Sequence, residues 1–254
     1  MTMLGCGTSS GVPRIGNDWG DCDPDEPKNR RRRVSVLVQS GDTNIVFDTG
    51  PDFREQMLTA KVTHMDGVFI THSHADHTHG IDDLRQFFHI KRAPVDCWAA
   101  KGTWAHLYDR FRYVFEGRHG YPPTANAHEM DGPVSVGPLT VDLFPQVHGN
   151  ITSWGFRVTE AGNGAVFCYS TDFNELTDEG RVAVRDCDLW IVDALRRNPH
   201  PTHAHLDLTL GWIAELGVKH AVTTHMDQSM DYKTLATEMP AGVEPGFDMW
   251  TMHL

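Results

Sequence analysis

The chain has 254 residues, 40% of them apolar and 22% charged, with 22 Lys and Arg against 34 Asp and Glu and a formal net charge of −12. That composition can bury a core, which excludes collagen-like and wholly disordered chains; no apolar run approaches the ~20 residues that span a bilayer, and Met1-Thr-Met-Leu-Gly-Cys lacks the basic flank and apolar core of a signal peptide. An acidic surface repels polyanions, so long nucleic acid is a poor partner and a soluble cytoplasmic protein without membrane attachment is expected.

Residues 34–38 and 44–47 read as a β-hairpin around Ser40-Gly-Asp-Thr. A helix is predicted over Phe53–Ala60, a strand over 67–71, and a helix over 81–89 with Ile81, Leu84 and Phe88 on one face. A strand at 95–98 precedes an aromatic-rich stretch, 104–115, that reads as a helix or a flap. Its Trp104, Tyr108, Phe111, Tyr113 and Phe115 either pack in the core or cover a ligand ring. Strands follow at 139–143, 165–169 and 189–192, then a helix over Leu206–Leu216 and a strand over Ala221–Thr224. Strands alternating with helices indicate an α/β or α+β domain, and with no repeat or linker it is expected to be a single domain over 1–254. Five cysteines, Cys6, Cys22, Cys97, Cys168 and Cys187, are odd in number and without CxxC spacing, which fits a reducing compartment rather than a disulfide framework.

The informative feature is histidine, 16 in all. Thr71-His72-Ser-His74-Ala-Asp76-His77 follows a predicted strand and gathers three imidazoles and a carboxylate within six residues. This donor set suits Zn, Mn or Fe and not a soft thiolate-binding ion; the bland alternative is a solvated His-rich loop. Three distant residues share the same context. His148, Asp172 and His225 each close or follow an apolar run, and separate strands can deliver such ends to one crevice. Asp48, closing Ile45-Val-Phe-Asp, fits the pattern as a residue that orients a ligand histidine.

The HxHxDH motif with isolated His, Asp and His resembles the metallo-β-lactamase superfamily over nearly the whole chain. The resemblance implies a four-layer αββα sandwich, two mixed β-sheets face to face with helices outside. It also implies two divalent ions per chain, Mn2+ or Zn2+ with Fe as an alternative. His72, His74 and His148 would hold one, Asp76, His77 and His225 the other, with Asp172 bridging. At the amino end, Leu4-Gly-Cys-Gly-Thr-Ser-Ser-Gly-Val-Pro13 and Pro27-Lys-Asn-Arg-Arg-Arg-Arg33 resemble the phosphoribosyl 1,2-cyclic phosphodiesterase family of phosphonate metabolism, as do Gly80-Ile-Asp-Asp-Leu-Arg85 and His200-Pro-Thr-His203. His203, 22 residues before His225, matches an extra active-site histidine of that family; His205 falls on a non-histidine position. The family's three-cysteine zinc loop is reduced here to Cys22, so no structural thiolate zinc site is expected.

The resemblance implies hydrolysis of a small phosphodiester, a cyclic ribose phosphate or nucleotide-like molecule, by water activated between two ions. Asp76 and His203 are the residues assigned to catalysis, and a homodimer is implied. The basic run 28–33 reads as a solvated loop or as a phosphate or subunit contact, Arg85 is open to the same two readings, and His205 is a further candidate to support the site or touch substrate. The competing readings are an RNA 3′-end nuclease of the same superfamily, a lactamase or lactonase, a mononuclear iron persulfide dioxygenase, and a non-catalytic metal-binding protein. The −12 charge opposes the first, the missing export signal and diester-family amino end oppose the second, and the complete second ligand set opposes the last two.

Overall fold

Side chains alternate between the two faces of a strand, and the apolar residues of this chain sort into layers by that rule. The computed structural model describes residues 1–254 as two mixed sheets packed face to face with helices outside. The first sheet comprises β1 (Thr2–Gly5), β2 (Ser35–Ser40), β3 (Thr43–Phe47), β4 (Gly67–Ile70), β5 (Val95–Ala99) and β6 (Ala125–Glu129), adjacent in that order. The second comprises β7 (Val134–Val136), β8 (Leu139–His148), β9 (Ile151–Glu160), β10 (Val166–Ser170), β11 (Glu175–Leu176), β12 (Leu189–Asp193), β13 (Ala221–Thr224) and β14 (Val243–Pro245). Its order is β11-β8-β9-β10-β12-β13-β14, with β7 also on β8, and β15 (Trp250–Thr251) returns to the edge of the first sheet beside β1. The helices are α1 (Phe53–Ala60), α2 (Ala75–Thr78), α3 (Leu84–Lys91), α4 (Lys101–Glu116), α5 (Asp178–Val184), α6 (Leu206–Leu216) and α7 (Tyr232–Glu238).

Val36, Val38, Ile45, Phe47 and Phe69 of the first sheet meet Phe156, Val158, Phe167, Tyr169 and Ile191 of the second. Phe47 is the hub, its ring 5.0 Å from Phe156, 5.5 Å from Phe69, 5.8 Å from Tyr169 and 5.9 Å from Phe167. Removing such a ring typically costs ~3–5 kcal/mol, so this layer holds the sheets in register. The intervening Leu37, Val46, Val68 and Ile70 pack outward with α1, α3 and α4, while Cys168, Trp190 and Val192 pack with α5 and α6. No helix is long and apolar enough to cross a membrane.

Several predicted boundaries change. The strand predicted at 139–143 runs on through Pro145 to His148, paired along its whole length with β9, which the sequence reading omitted. The helix predicted at 81–89 is a single 3-10 turn followed by α3. The aromatic stretch is helical as α4 but bends at Phe111, with φ −123° and ψ 27°. Trp104 and Phe115 are buried against each other at 5.1 Å, so the core reading holds for these two members of the stripe, while Tyr113 is exposed.

Beyond β1 the chain crosses the strand ends, and two carboxylate bonds pin it there. Asp248 accepts from the Cys6 N–H at 3.2 Å and the Arg32 N–H at 2.9 Å, while the Met226 N–H donates to the Cys6 carbonyl at 2.8 Å. Burial pushes the Asp248 carboxyl up to about 7 despite these donors. The folded chain therefore keeps a proton that the unfolded chain, with its ordinary carboxyl value of 3.8, has released. Stability from this group is fully present at acid pH and declines as pH rises through that window, by up to about 1.4 kcal/mol per pH unit. Urea unfolding between about pH 4 and pH 7 should show this slope in the parent and a flatter one in Asp248→Asn; equal slopes would discount the group.

Candidate metal centre

Strands β3, β4, β8, β10, β12 and β13 all end on the same edge of the sandwich, and each delivers a polar residue there. β4 runs into Thr71 and His72; His74 caps α2, whose single turn carries Asp76 and His77. His148 closes β8 and Asp193 closes β12. Asp48, Asp172 and His225, just beyond β3, β10 and β13, share a left-handed backbone with φ of 62°, 55° and 58°. Residues with side chains pay for that conformation, for non-glycine of order ~1–3 kcal/mol, and such outliers cluster at functional sites.

The seven residues predicted as ligands converge. Ligand-capable atoms of His72, His74, His148 and Asp172 lie within 4.8 Å of one another, and so do those of Asp76, His77, Asp172 and His225. Asp172 belongs to both groups and divides its oxygens between them. Oδ2 lies 3.7 Å from His72 Nε2 and 3.8 Å from His148 Nε2; Oδ1 lies 3.1 Å from His77 Nε2 and 3.3 Å from His225 Nε2. Asp76 Oδ2 completes the second group, 3.3 Å from His77 Nε2 and 3.6 Å from His225 Nε2.

The outward nitrogens are held. His77 Nδ1 is 2.8 Å from Asp48 Oδ2, and Asp48 is itself fixed by the Thr71 N–H at 2.9 Å and the Thr71 hydroxyl at 3.0 Å. His148 Nδ1 donates to the Thr202 carbonyl at 2.7 Å, and His72 Nδ1 lies 3.0 Å from Thr71 Oγ1. A proton kept on Nδ1 leaves the Nε2 lone pair free for a cation. His77 Nε2 and His225 Nε2 are buried without any hydrogen-bond partner. Orphaned buried acceptors are costly, and a divalent cation between them and the carboxylates removes that cost. The donor set fits the binding of divalent metal.

The local electrostatics agree. Burial raises Asp172, but the charges of His225 and His77 outweigh it and hold the carboxyl well below its ordinary range. Burial likewise opposes a charged His77, yet Asp172, Asp76 and Asp48 raise it well above the ordinary imidazole value. His225 is lifted to about 9 by Asp172 against the same burial penalty. His72 goes the other way: burial and the neighbouring His77 keep it neutral. Negative charge is thus concentrated where cations belong.

His203 joins this edge. Its ring stacks on His225 at 4.8 Å, its Nε2 is 3.8 Å from Asp172 Oδ2, and its Nδ1 is 3.0 Å from Asp193 Oδ2. The cleft above, about 190 Å³, is lined by His74, Asp76, His203 and also Ser9, Asn150 and Thr202. Sequence reading missed Asp193. The signal was present, an apolar strand closing in a carboxylate as at Asp48, but the predicted strand stopped one residue short. His205 does not join the cage; it caps α6. Arg85 lies on exposed α3, 3.5 Å from Asp82, and lines other cavities. The basic run is used by the fold: Lys28 donates to the Tyr232 hydroxyl at 2.8 Å, Arg30 covers Trp19, buried Arg31 donates to the Asp227 and Met230 carbonyls, Arg32 meets Thr59 and Arg33 pairs with Asp52.

A family model described as a beta-lactamase superfamily domain matches residues 43–226. A crystal structure described as a new diphosphatase from the PhnP family superposes with a TM-score of 0.89 at 33% identity, covering 98% of this chain and 94% of that one. An octanoyltransferase from Porphyromonas gingivalis is 30% identical over 97% of this chain and 50% of its own length. A ribonuclease Z from Streptomyces coelicolor is 30% identical over 53% of this chain and 46% of its own. The chain spans about half the length of these curated relatives.

Asp48→Ala leaves His77 Nδ1 without its carboxylate, and metal affinity measured by chelator competition should fall about 10–100-fold. Unchanged affinity would mean that the His77 ring needs no such support.

Proposed function

The chain belongs to the β-lactamase superfamily, and on that footing we propose that it is a metal-dependent phosphodiesterase acting on a small diester, a cyclic ribose phosphate or a nucleotide-like molecule. The observation that carries the reading is the divided carboxylate of Asp172, with a histidine set on each side and His203 beside it. His72, His74 and His148 would hold one ion and Asp76, His77 and His225 the other, with Asp172 between the two sets; the nitrogen and oxygen donors suit Mn2+ or Zn2+. When bound, such a pair supplies Lewis acidity, acidifying a water and offsetting charge on the non-bridging phosphoryl oxygens.

The chain's own residues do the rest. The polar cleft, about 190 Å³, opens over Asp76, Asp172, His203 and His225 and offers room for a phosphoryl group beside them. The His203 Nδ1–H donates to Asp193 Oδ2, which turns Nε2 toward Asp172 and the cleft; as an imidazolium the ring carries a second proton, at Nε2. That proton goes to the departing oxygen, and such assistance contributes ~10²–10⁴-fold when the leaving group is an alkoxide. Asp193 is a positioning residue: it also accepts from the Asp172 N–H at 3.0 Å, so one carboxylate sets the place of both. Diphosphatase and ribonuclease chemistry, named for the relatives, both break a phosphorus–oxygen bond. The ribonuclease likeness favours RNA as a second reading, opposed by the net charge of −12.

Metal analysis with hydrolysis of bis(p-nitrophenyl) phosphate tests the core of the proposal: two ions per chain and turnover are expected, whereas one ion without turnover defeats it. His203→Ala should slow an alkyl diester by ~10²-fold or more while sparing the nitrophenyl ester, whose leaving group needs no proton. Equal losses on both would remove His203 from that role. Efficient cleavage of precursor transfer RNA would shift the assignment to the second reading.

A further inference from the structure

A second cavity, about 480 Å³, lies between α3 and the far end of α4 with the turn that follows. It shares no lining residue with the metal cleft. Its walls include one carboxylate, Asp82, which is paired with Arg85, and otherwise combine two chemistries. Phe88, Tyr113 and Tyr121 supply aromatic surface, and the two tyrosines are exposed, 42% and 79%, although nothing in the fold covers them. Arg85, Arg118 and His119 supply cationic donors. Arg85 already pairs with Asp82, but Arg118 has no carboxylate partner in a chain where acids outnumber bases 34 to 22.

The donors are presented on a closed turn. The Arg118 N–H donates to the Tyr121 carbonyl at 3.1 Å and the Tyr121 N–H to the Arg118 carbonyl at 3.0 Å, which fixes both residues at the cavity. A purely apolar ligand would desolvate the Arg118 guanidinium without giving it an acceptor. Bare phosphate would leave the rings uncovered. A planar base joined to a phosphate satisfies both walls, stacking on the aromatic faces and accepting a forked pair of bonds from arginine. The volume falls in the usual small-ligand range of about 300–1,000 Å³.

We propose that this cavity is a binding site for a mononucleotide, separate from the metal centre, with Tyr113 and Tyr121 on the base and Arg118 on the phosphate. The position of α4 gives it a route to the cage: Arg110 donates to the Ser73 carbonyl between His72 and His74, and Phe111, where the helix bends, lies 5.5 Å from His79. The site stands whether or not the metal centre cleaves diesters.

Calorimetric titration of the metal-loaded protein with AMP tests it. Saturable binding is expected, with adenosine and inorganic phosphate each much weaker. Arg118→Ala and Tyr121→Ala should each weaken AMP by about tenfold or more, with hydrolysis of bis(p-nitrophenyl) phosphate unchanged. Binding should survive Asp172→Ala, which disables the metal centre. No saturation by about 10 mM AMP, well below the affinity of ordinary ligands, overturns the proposal. So does unchanged affinity in either the Arg118 or the Tyr121 variant, adenosine binding as well as AMP, or loss of the site in Asp172→Ala. Failure to hydrolyse the nitrophenyl ester bears only on the metal centre.

Discussion

The carboxylate of Asp172 is buried at the meeting point of strands from both sheets, and its two oxygens face different imidazoles. Oδ2 serves His72 and His148, Oδ1 serves His77 and His225, so displacing this residue by one rotamer would uncouple both sets. Its backbone is over-determined accordingly. The N–H is held by Asp193, the carbonyl accepts from the Ser153 hydroxyl at 2.6 Å, and φ is fixed at +55°. Six strand ends on one edge supply the cage because β3, β4, β8, β10, β12 and β13 run in the same sense across two sheets. The apolar layer around Phe47 is therefore a functional element as well: it fixes the distance between the halves of the site.

Around the cage lies a ring of partners that decides which nitrogen each histidine offers. Asp48 and Thr71 come from the first sheet, Asp193 and Thr202 from the second. Two carboxylate–histidine pairs recur in this ring, Asp48 with His77 and Asp193 with His203, one on each side of the sandwich. Asp193 has the wider reach. It binds the backbone of Asp172 and the ring of His203, and its other oxygen lies 4.0 Å from His225 Nδ1. On the proposed mechanism, the proton donor and the bridging carboxylate are set by one rigid residue at a strand end, which keeps their separation constant as substrate arrives.

Much of this was legible in the sequence, for a physical reason. A buried strand is an uninterrupted apolar run, and a polar residue closing such a run has left the core at a sheet edge. That rule located Asp48, His148, Asp172 and His225. It failed for Asp193 because Ala194 and Leu195, both buried, continue the run and blur the edge. It failed for β9 because six of its ten residues are polar, charged or glycine. Gly155 is there because a Cβ would fall 2.2 Å from the Phe144 ring, a constraint visible only once β8 and β9 are paired. The basic run misled in the opposite direction. Clustered charge reads as surface or as phosphate contact, yet Lys28 and Arg30 lie over aromatic rings and Arg31 is buried against carbonyls, partners supplied from elsewhere in the chain.

The net charge and the proposed chemistry at phosphorus are compatible once distance is considered. Screening in physiological salt limits electrostatic reach to a Debye length of ~8 Å. Cations held at the floor of a small cleft would therefore act on what enters it and on little else. On the proposed function, a small diester would lie wholly within that reach and meet His203, while the acidic surface beyond is screened. A long nucleic acid would place a few phosphates in the cleft and the remainder along a chain in which 34 acidic side chains outnumber 22 basic ones. On the proposed function, the same acidity would select among phosphate esters, favouring substrates short enough to sit inside the field of the metal site.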